Sequence, residues 1–153
     1  ILIGLVGSEM CIRDSNYIGL IVISVIMIPN IIYAIKNKGG FPNSCGNKAA
    51  ELFEQIGNGC IAFTVFNIPF TCFGFWFDKA MLVYAIVNSV LCAIYLACWA
   101  IFRKNTVEKA ILLSAIPSCV FLFGGFMLWN IPLIVFAIVF APCHILVSCK
   151  NIC

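Results

Sequence analysis

Charge is what this 153-residue chain has least of: 10% of its residues are Asp, Glu, Lys or Arg. None of these interrupts the interior of its long apolar runs. A proton- or cation-coupled pump usually needs an intramembrane carboxylate, so that class is disfavoured. A retinal protein needs an intramembrane Lys for its Schiff base, and there is none. A G-x-S-x-G stretch is missing, which disfavours a rhomboid-type serine protease. Paired Glu on an apolar run is missing too, which disfavours a glutamate-based membrane protease. The chain has no C-x-x-C, the dithiol of quinone-linked thiol oxidases. Its basic residues sit in short loops rather than along one stripe, which is not a nucleic-acid footprint.

What is there is apolar. Hydrophobic residues make up 63% of the chain, and its mean hydropathy is +1.11. A soluble domain averages about 45–50% apolar residues, and no core of this size hides the excess. The solvent is therefore lipid, and the bilayer is the one partner that composition implies. The chain has ten Cys. Cys60, Cys72, Cys92, Cys98, Cys119 and Cys143 stand singly in apolar runs and read as small apolar fillers.

The first fifteen residues, ILIGLVGSEMCIRDS, fit no targeting pattern, because Glu9, Arg13 and Asp14 follow the apolar part. They resemble a translated transposon sequencing adapter, whose frame reads L-V-G-S-E-M-C-I-R-D and then Ser or Arg. The resemblance implies that residues 1–15 are an artefact and that residues 16–153 are the natural part, one transmembrane helical domain. Without the first fifteen residues the balance is eight basic against four acidic residues. The remainder resembles small bacterial multi-pass membrane proteins in general terms and matches no family of known function.

A spanning helix needs about 20 mainly apolar residues. The pattern predicts an all-α polytopic bundle with spans over about 17–35, 59–77, 80–102, 107–128 and 131–149. A short interfacial helix is expected over about 47–57, with Leu52, Phe53 and Ile56 on one side and Glu51, Glu54 and Gln55 on the other. Asn130 and Pro132 suit a helix start directly after the fourth span, and Gly124 and Gly125 are expected to loosen that span's end. Basic residues favour the cytoplasmic side. Lys36, Lys38 and Lys48, then Arg103, Lys104 and Lys109, then Lys150 fall in alternate loops, against Lys79 in the others. The N-terminus is thus expected outside and the C-terminus in the cytoplasm. Tyr17, Trp76 and Trp129 then lie at the outer level, and Tyr33 and Trp99 at the inner level.

Polar groups inside spans mark candidate sites. Asn30, Asn67, Ser114 and His144 fall in the cytoplasmic half and form a candidate pocket or a set of helix–helix contacts. Pro29, Pro69, Pro117 and Pro142 are candidate kinks, each freeing a backbone carbonyl. His144, Cys149 and Cys153 offer N and S ligands, but H-x4-C-x3-C is not a zinc pattern, and neither a metal nor a cofactor is assigned. FNIPF and WNIPL echo each other at Asn67 and Asn130, which chance in a Phe- and Ile-rich chain explains. No catalytic set emerges. The expectation is a non-enzymatic membrane subunit or accessory protein. The alternatives are a small permease or channel, and a membrane thiol or metal redox protein.

Overall fold

The computed structural model describes residues 15–36, 48–66, 72–102, 104 and 106–150. The fold is all-α, with two isolated β-bridges among the described residues, Ser15 to Phe66 and Cys72 to Asn130. In chain order the helices are α1 (Tyr17–Lys36), α2 (Lys48–Gly57), α3 (Gly59–Val65), α4 (Ala80–Ile101), α5 (Val107–Met127) and α6 (Ile131–Lys150). By length and composition α4, α5 and α6 can each cross a membrane, and α1 is apolar over Tyr17–Tyr33. At 1.5 Å per residue, 20 residues reach about 30 Å, the thickness of the hydrocarbon layer. Helices α1, α5 and α6 continue through Pro29, Pro117 and Pro142. Pro69, Asn67 and Cys153 lie outside the described residues, as do the side chains of Glu51, Phe53 and Glu54.

Local chemistry sets the helix ends. Thr106, in extended backbone, caps α5 by accepting from the Lys109 amide at 3.3 Å, with Glu108 in the first turn. At the other end of α5 the amides of Trp129 and Asn130 reach back to the carbonyls of Phe126 and Gly125, at 3.2 and 2.8 Å. That pair of bonds is a Schellman cap, and it turns the chain straight into α6. Gly125 is not a loosening residue there, because α5 runs on to Met127. It is a contact residue instead: a Cβ at Gly125 would sit 2.7 Å from Ile134 Cγ1, so glycine lets α6 start this close.

The second expected span is where the structure departs most. Asn58 is helical (φ −61°, ψ −17°), so α2 and α3 follow one path. That path lies antiparallel along α6. Gly57 meets Phe140, Gly59 meets Phe136, and the Phe63 and Phe136 rings are 5.0 Å apart. Helix ends at Val65, and Phe66 is extended (φ −106°, ψ 122°). The expected interfacial helix therefore packs along α6, and with α3 it makes a rod about 27 Å long at 1.5 Å per residue. The helix expected over 59–77 is absent beyond residue 65 among the described residues. A proline disfavours helix in the residue before it, and Pro69 gives that reason in the sequence.

Two apolar cores hold the bundle. One gathers Val22 and Ile26 of α1, Cys92, Tyr95 and Cys98 of α4, and Ile116 and Val120 of α5. The other gathers Ile23, Cys60, Phe121, Leu133, Ala137 and Phe140. Four of the aromatic residues singled out in the sequence meet in two pairs. Tyr33 and Trp99 meet at 5.6 Å near one end of the bundle, and Trp76 and Trp129 meet edge-on at 4.2 Å at the other.

Candidate functional site

A helix leaves its last carbonyls without intrahelical partners, and in lipid they must find donors within the protein. Helix α3 ends inside the bundle, so its carbonyls pose that problem directly. Two asparagines answer it. Asn16 donates from its backbone amide to Val65 O (2.8 Å) and from Nδ2 to Thr64 O (3.1 Å). Asn130 donates from Nδ2 to Phe63 O (3.0 Å).

Both asparagines also start helices. Asn16 Oδ1 accepts from Gly19 N (3.0 Å) at the start of α1, and Asn130 Oδ1 accepts from Leu133 N (3.2 Å) at the start of α6. One amide thus satisfies an N-terminal N–H with its oxygen and a C-terminal C=O with its nitrogen. Asp, Ser and Thr also cap helices, but an ionised carboxylate has no donor and a hydroxyl has only one, where Asn16 Nδ2 makes two bonds. At Asn130, Nδ2 makes one bond, and the longer amide places its acceptor and its donor on different helices. Asn16 is 6% exposed and Asn130 1%.

Tyr84 completes the cage. Its buried Oη accepts a second bond from Asn16 Nδ2 (3.0 Å), and its ring meets those of Phe75 (5.8 Å, tilted) and Phe123 (6.3 Å, stacked). Tyr84→Phe keeps the ring contacts and removes only the hydroxyl. It is expected to lower stability by about 1 kcal/mol, read by thermal unfolding in neutral detergent. One helical turn further along α4, Asn88 donates from Nδ2 to Tyr84 O (2.8 Å). Its Oδ1 is buried and has no donor among the described residues.

The segment after the break applies the same rule to α5. The amides of Phe73 and Gly74 donate to Trp129 O (3.3 Å) and Leu128 O (3.0 Å), and Trp76 Nε1 donates to Phe126 O (2.7 Å). Residues 72–76 therefore cover the α5–α6 turn and leave a shallow depression of about 320 Å³ lined by Phe73, Gly74, Phe75, Trp76 and Trp129. Trp129 adopts a left-handed backbone (φ 47°), where glycine is the easier residue. Its edge contact with Trp76 accompanies that strain.

The polar residues singled out in the sequence are spread over separate contacts. Asn30 accepts from Tyr95 Oη at 3.1 Å and so joins α1 to α4. Ser114 donates to Ala110 O (2.7 Å) within its own helix, and Ser118 does the same to Ser114 O (2.8 Å). His144 stacks on Phe140 with ring centroids 4.6 Å apart. Asn67 lies outside the described residues. Among the described residues no three His, Cys, Asp or Glu side chains are grouped to hold a metal ion; His144 and Cys149 both belong to α6. The densest polar contacts lie at the opposite end of the bundle, around Asn16, Thr64, Tyr84 and Asn130. The sequence signal for Asn16 is its place directly before an apolar run, the usual position of a cap. Nothing local announces Thr64 or Tyr84, whose partner Asn16 lies 48 and 68 residues away.

Compared with known protein families, with curated proteins and with solved structures, the chain matches none of them.

Proposed function

We propose that this chain is a non-enzymatic, multi-pass protein of the cytoplasmic membrane, with its N-terminus outside, that works as a subunit or accessory protein. One observation carries the reading. The Nδ2 donors of Asn16 and Asn130 are directed at carbonyls of another helix, and the hydroxyls of Thr64, Ser114 and Ser118 at carbonyls of their own. The two asparagines fasten helices together, and the hydroxyls spent on their own helices leave few donors to line a path. The outward faces of α1 and α4 are apolar, with Ile21, Ile28, Leu82, Ile86 and Ile94 exposed, which suits contact with lipid or with another apolar helix.

A small permease or channel is the second reading, and the break after Val65 favours it. Transporters often build ion sites from the C-terminal carbonyls of discontinuous helices. In this chain the corresponding carbonyls already accept from Asn16 and Asn130, which argues for the fastening role. The discriminating experiment places a cysteine at Ser118 in a background lacking the native cysteines. In proteoliposomes it is expected to stay unlabelled by a membrane-impermeant maleimide applied from either side. Rapid labelling would reject the closed bundle in favour of a water-filled path.

A further inference from the structure

We propose that Lys109 and Trp99 form a seat for a phosphate-ester anion, and that its occupant is the headgroup phosphate of an anionic glycerophospholipid. Lys109 is 6% exposed, yet it has no carboxylate or hydrogen-bond acceptor for its ammonium among the described residues. Its one charge partner there is the face of Trp99, with Nζ 4.6 Å from the ring centroid. Trp99 in turn carries a buried Nε1 with no acceptor in hydrogen-bonding geometry among the described residues. The oxygen beside it is the Tyr95 hydroxyl, which gives its own proton to Asn30 Oδ1 and stands outside good hydrogen-bonding geometry for Nε1. Two donor groups thus share one place, and neither has a well-placed acceptor oxygen. A ligand that brings anionic oxygens supplies what both lack.

The surroundings point the same way. Lys109 belongs to the first turn of α5, where free amides and the helix dipole favour an anion. Side chains on a helix lean toward its N-terminus, so the Lys109 stem runs back toward the end of the bundle. The competing carboxylate in that turn, Glu108, is exposed and forms no ion pair among the described residues. Lys36 and Lys150, the last residues of α1 and α6, close the same end of the bundle as the start of α5, and exposed Lys104 lies just before it. Together they draw anions toward this end. Tyr33 flanks Trp99 at 5.6 Å, which gives the aromatic pair typical of headgroup depth. Ile35, Ile101 and Val107 at this end present exposed apolar surface for acyl chains. The seat does not depend on whether the bundle fastens a complex or conducts a solute.

The test uses the full chain in neutral maltoside detergent with equal amounts of phosphatidylglycerol and phosphatidylcholine, and native mass spectrometry counts the adducts. The wild type is expected to prefer phosphatidylglycerol by about fivefold, the effect of one lysine near an anionic surface. Lys109→Met keeps the apolar stem and should lower the ratio to the weaker preference that the exposed lysines of this end support by themselves, while Lys109→Arg should retain the wild-type preference. Trp99→Phe keeps a ring face, drops the N–H, and should lower the ratio in part. Far-UV circular dichroism of each variant reports folding, and the Arg and Phe variants carry the test if Lys109→Met fails to fold. Equal retention of the two lipids by the wild type overturns the proposal, as does a Lys109→Met ratio equal to that of the wild type. A second arm titrates glycerol phosphate into lipid-free micelles of Trp76→Phe/Trp129→Phe, where Trp99 is the remaining fluorophore. No response up to millimolar concentration supports the lipid as occupant. A saturable response that Lys109→Met abolishes would instead assign the seat to a free phosphate ester and overturn the lipid assignment.

Discussion

Asn130→Ala is expected to destabilise the bundle by about 2–3 kcal/mol, two separate losses at one position. The first is the α6 cap, since Oδ1 no longer accepts from Leu133 N. A lost N-cap costs typically about 1 kcal/mol. The second is the donor to Phe63 O, which is left without Nδ2 at a buried helix end. An orphaned buried acceptor costs about 1–3 kcal/mol, although interhelical side-chain bonds within membranes average only about 0.6 kcal/mol. The sum therefore belongs near the lower end of the combined range. Asn130→Ser separates the two terms. Serine can still cap α6, but its shorter side chain cannot at the same time reach Phe63 O, so only the second loss should remain. Unfolding in mixed micelles, followed by circular dichroism, measures both variants against the wild type. Equal stability of Asn130→Ala and the wild type would mean that α3 does not need this donor.

The second large effect concerns the approach of α2 to α6. A Cβ at Gly57 would lie 2.6 Å from Phe140 Cβ and Cδ2, and 2.9 Å from Phe140 Cα. The last contact is with backbone, which no rotamer change relieves. Gly57→Ala is expected to push the helices apart and to cost about 1–3 kcal/mol, the usual range for overpacking. Two comparisons make the expectation specific. At Gly59 the new Cβ would meet the Phe136 ring edge at 3.1 Å, and a ring can swing, so Gly59→Ala should cost less. At Gly124 it would meet Tyr84 at 3.5 Å, an ordinary contact, and Gly124→Ala should be tolerated. Phe140→Ala should not rescue Gly57→Ala, because the offending Cβ and Cα remain. The expected order of melting temperatures, highest first, is Gly124→Ala, Gly59→Ala, Gly57→Ala. Any other order would place the α2–α6 contact elsewhere.

Much of this architecture is legible in the sequence because the forces behind it act locally. Apolar runs of bilayer length specify α1, α4, α5 and α6 without reference to one another. Asn130 marks a helix start by capping the amide three residues on. Tyr33 and Trp99 come to one level because each sits near the end of an apolar run of known length, whereas Trp76 reaches Trp129 through the non-helical segment that covers the α5–α6 turn. Residues 59–77 mislead for a related reason. Their hydropathy suits a spanning helix, but hydropathy does not register where the backbone stops making its own hydrogen bonds.

The consequences of that break belong to the assembled bundle. Once α3 ends at Val65, its carbonyls need donors, and these come from Asn16 and Asn130, which lie 48 and 67 residues away from the carbonyls they serve. The residues expected to meet, Asn30, Ser114 and His144, have nearer partners in Tyr95, in the carbonyl of Ala110 and in the Phe140 ring. A short polar side chain on a helix can bond its own backbone four residues earlier or a neighbouring helix, and composition does not choose between them. Order along the chain is enough to specify the class of solvent, the lengths of the apolar helices and the levels of their aromatic ends. The pairing of polar groups is left to packing, because a hydrogen bond reaches about 3 Å and only the assembled helices set which groups come that close.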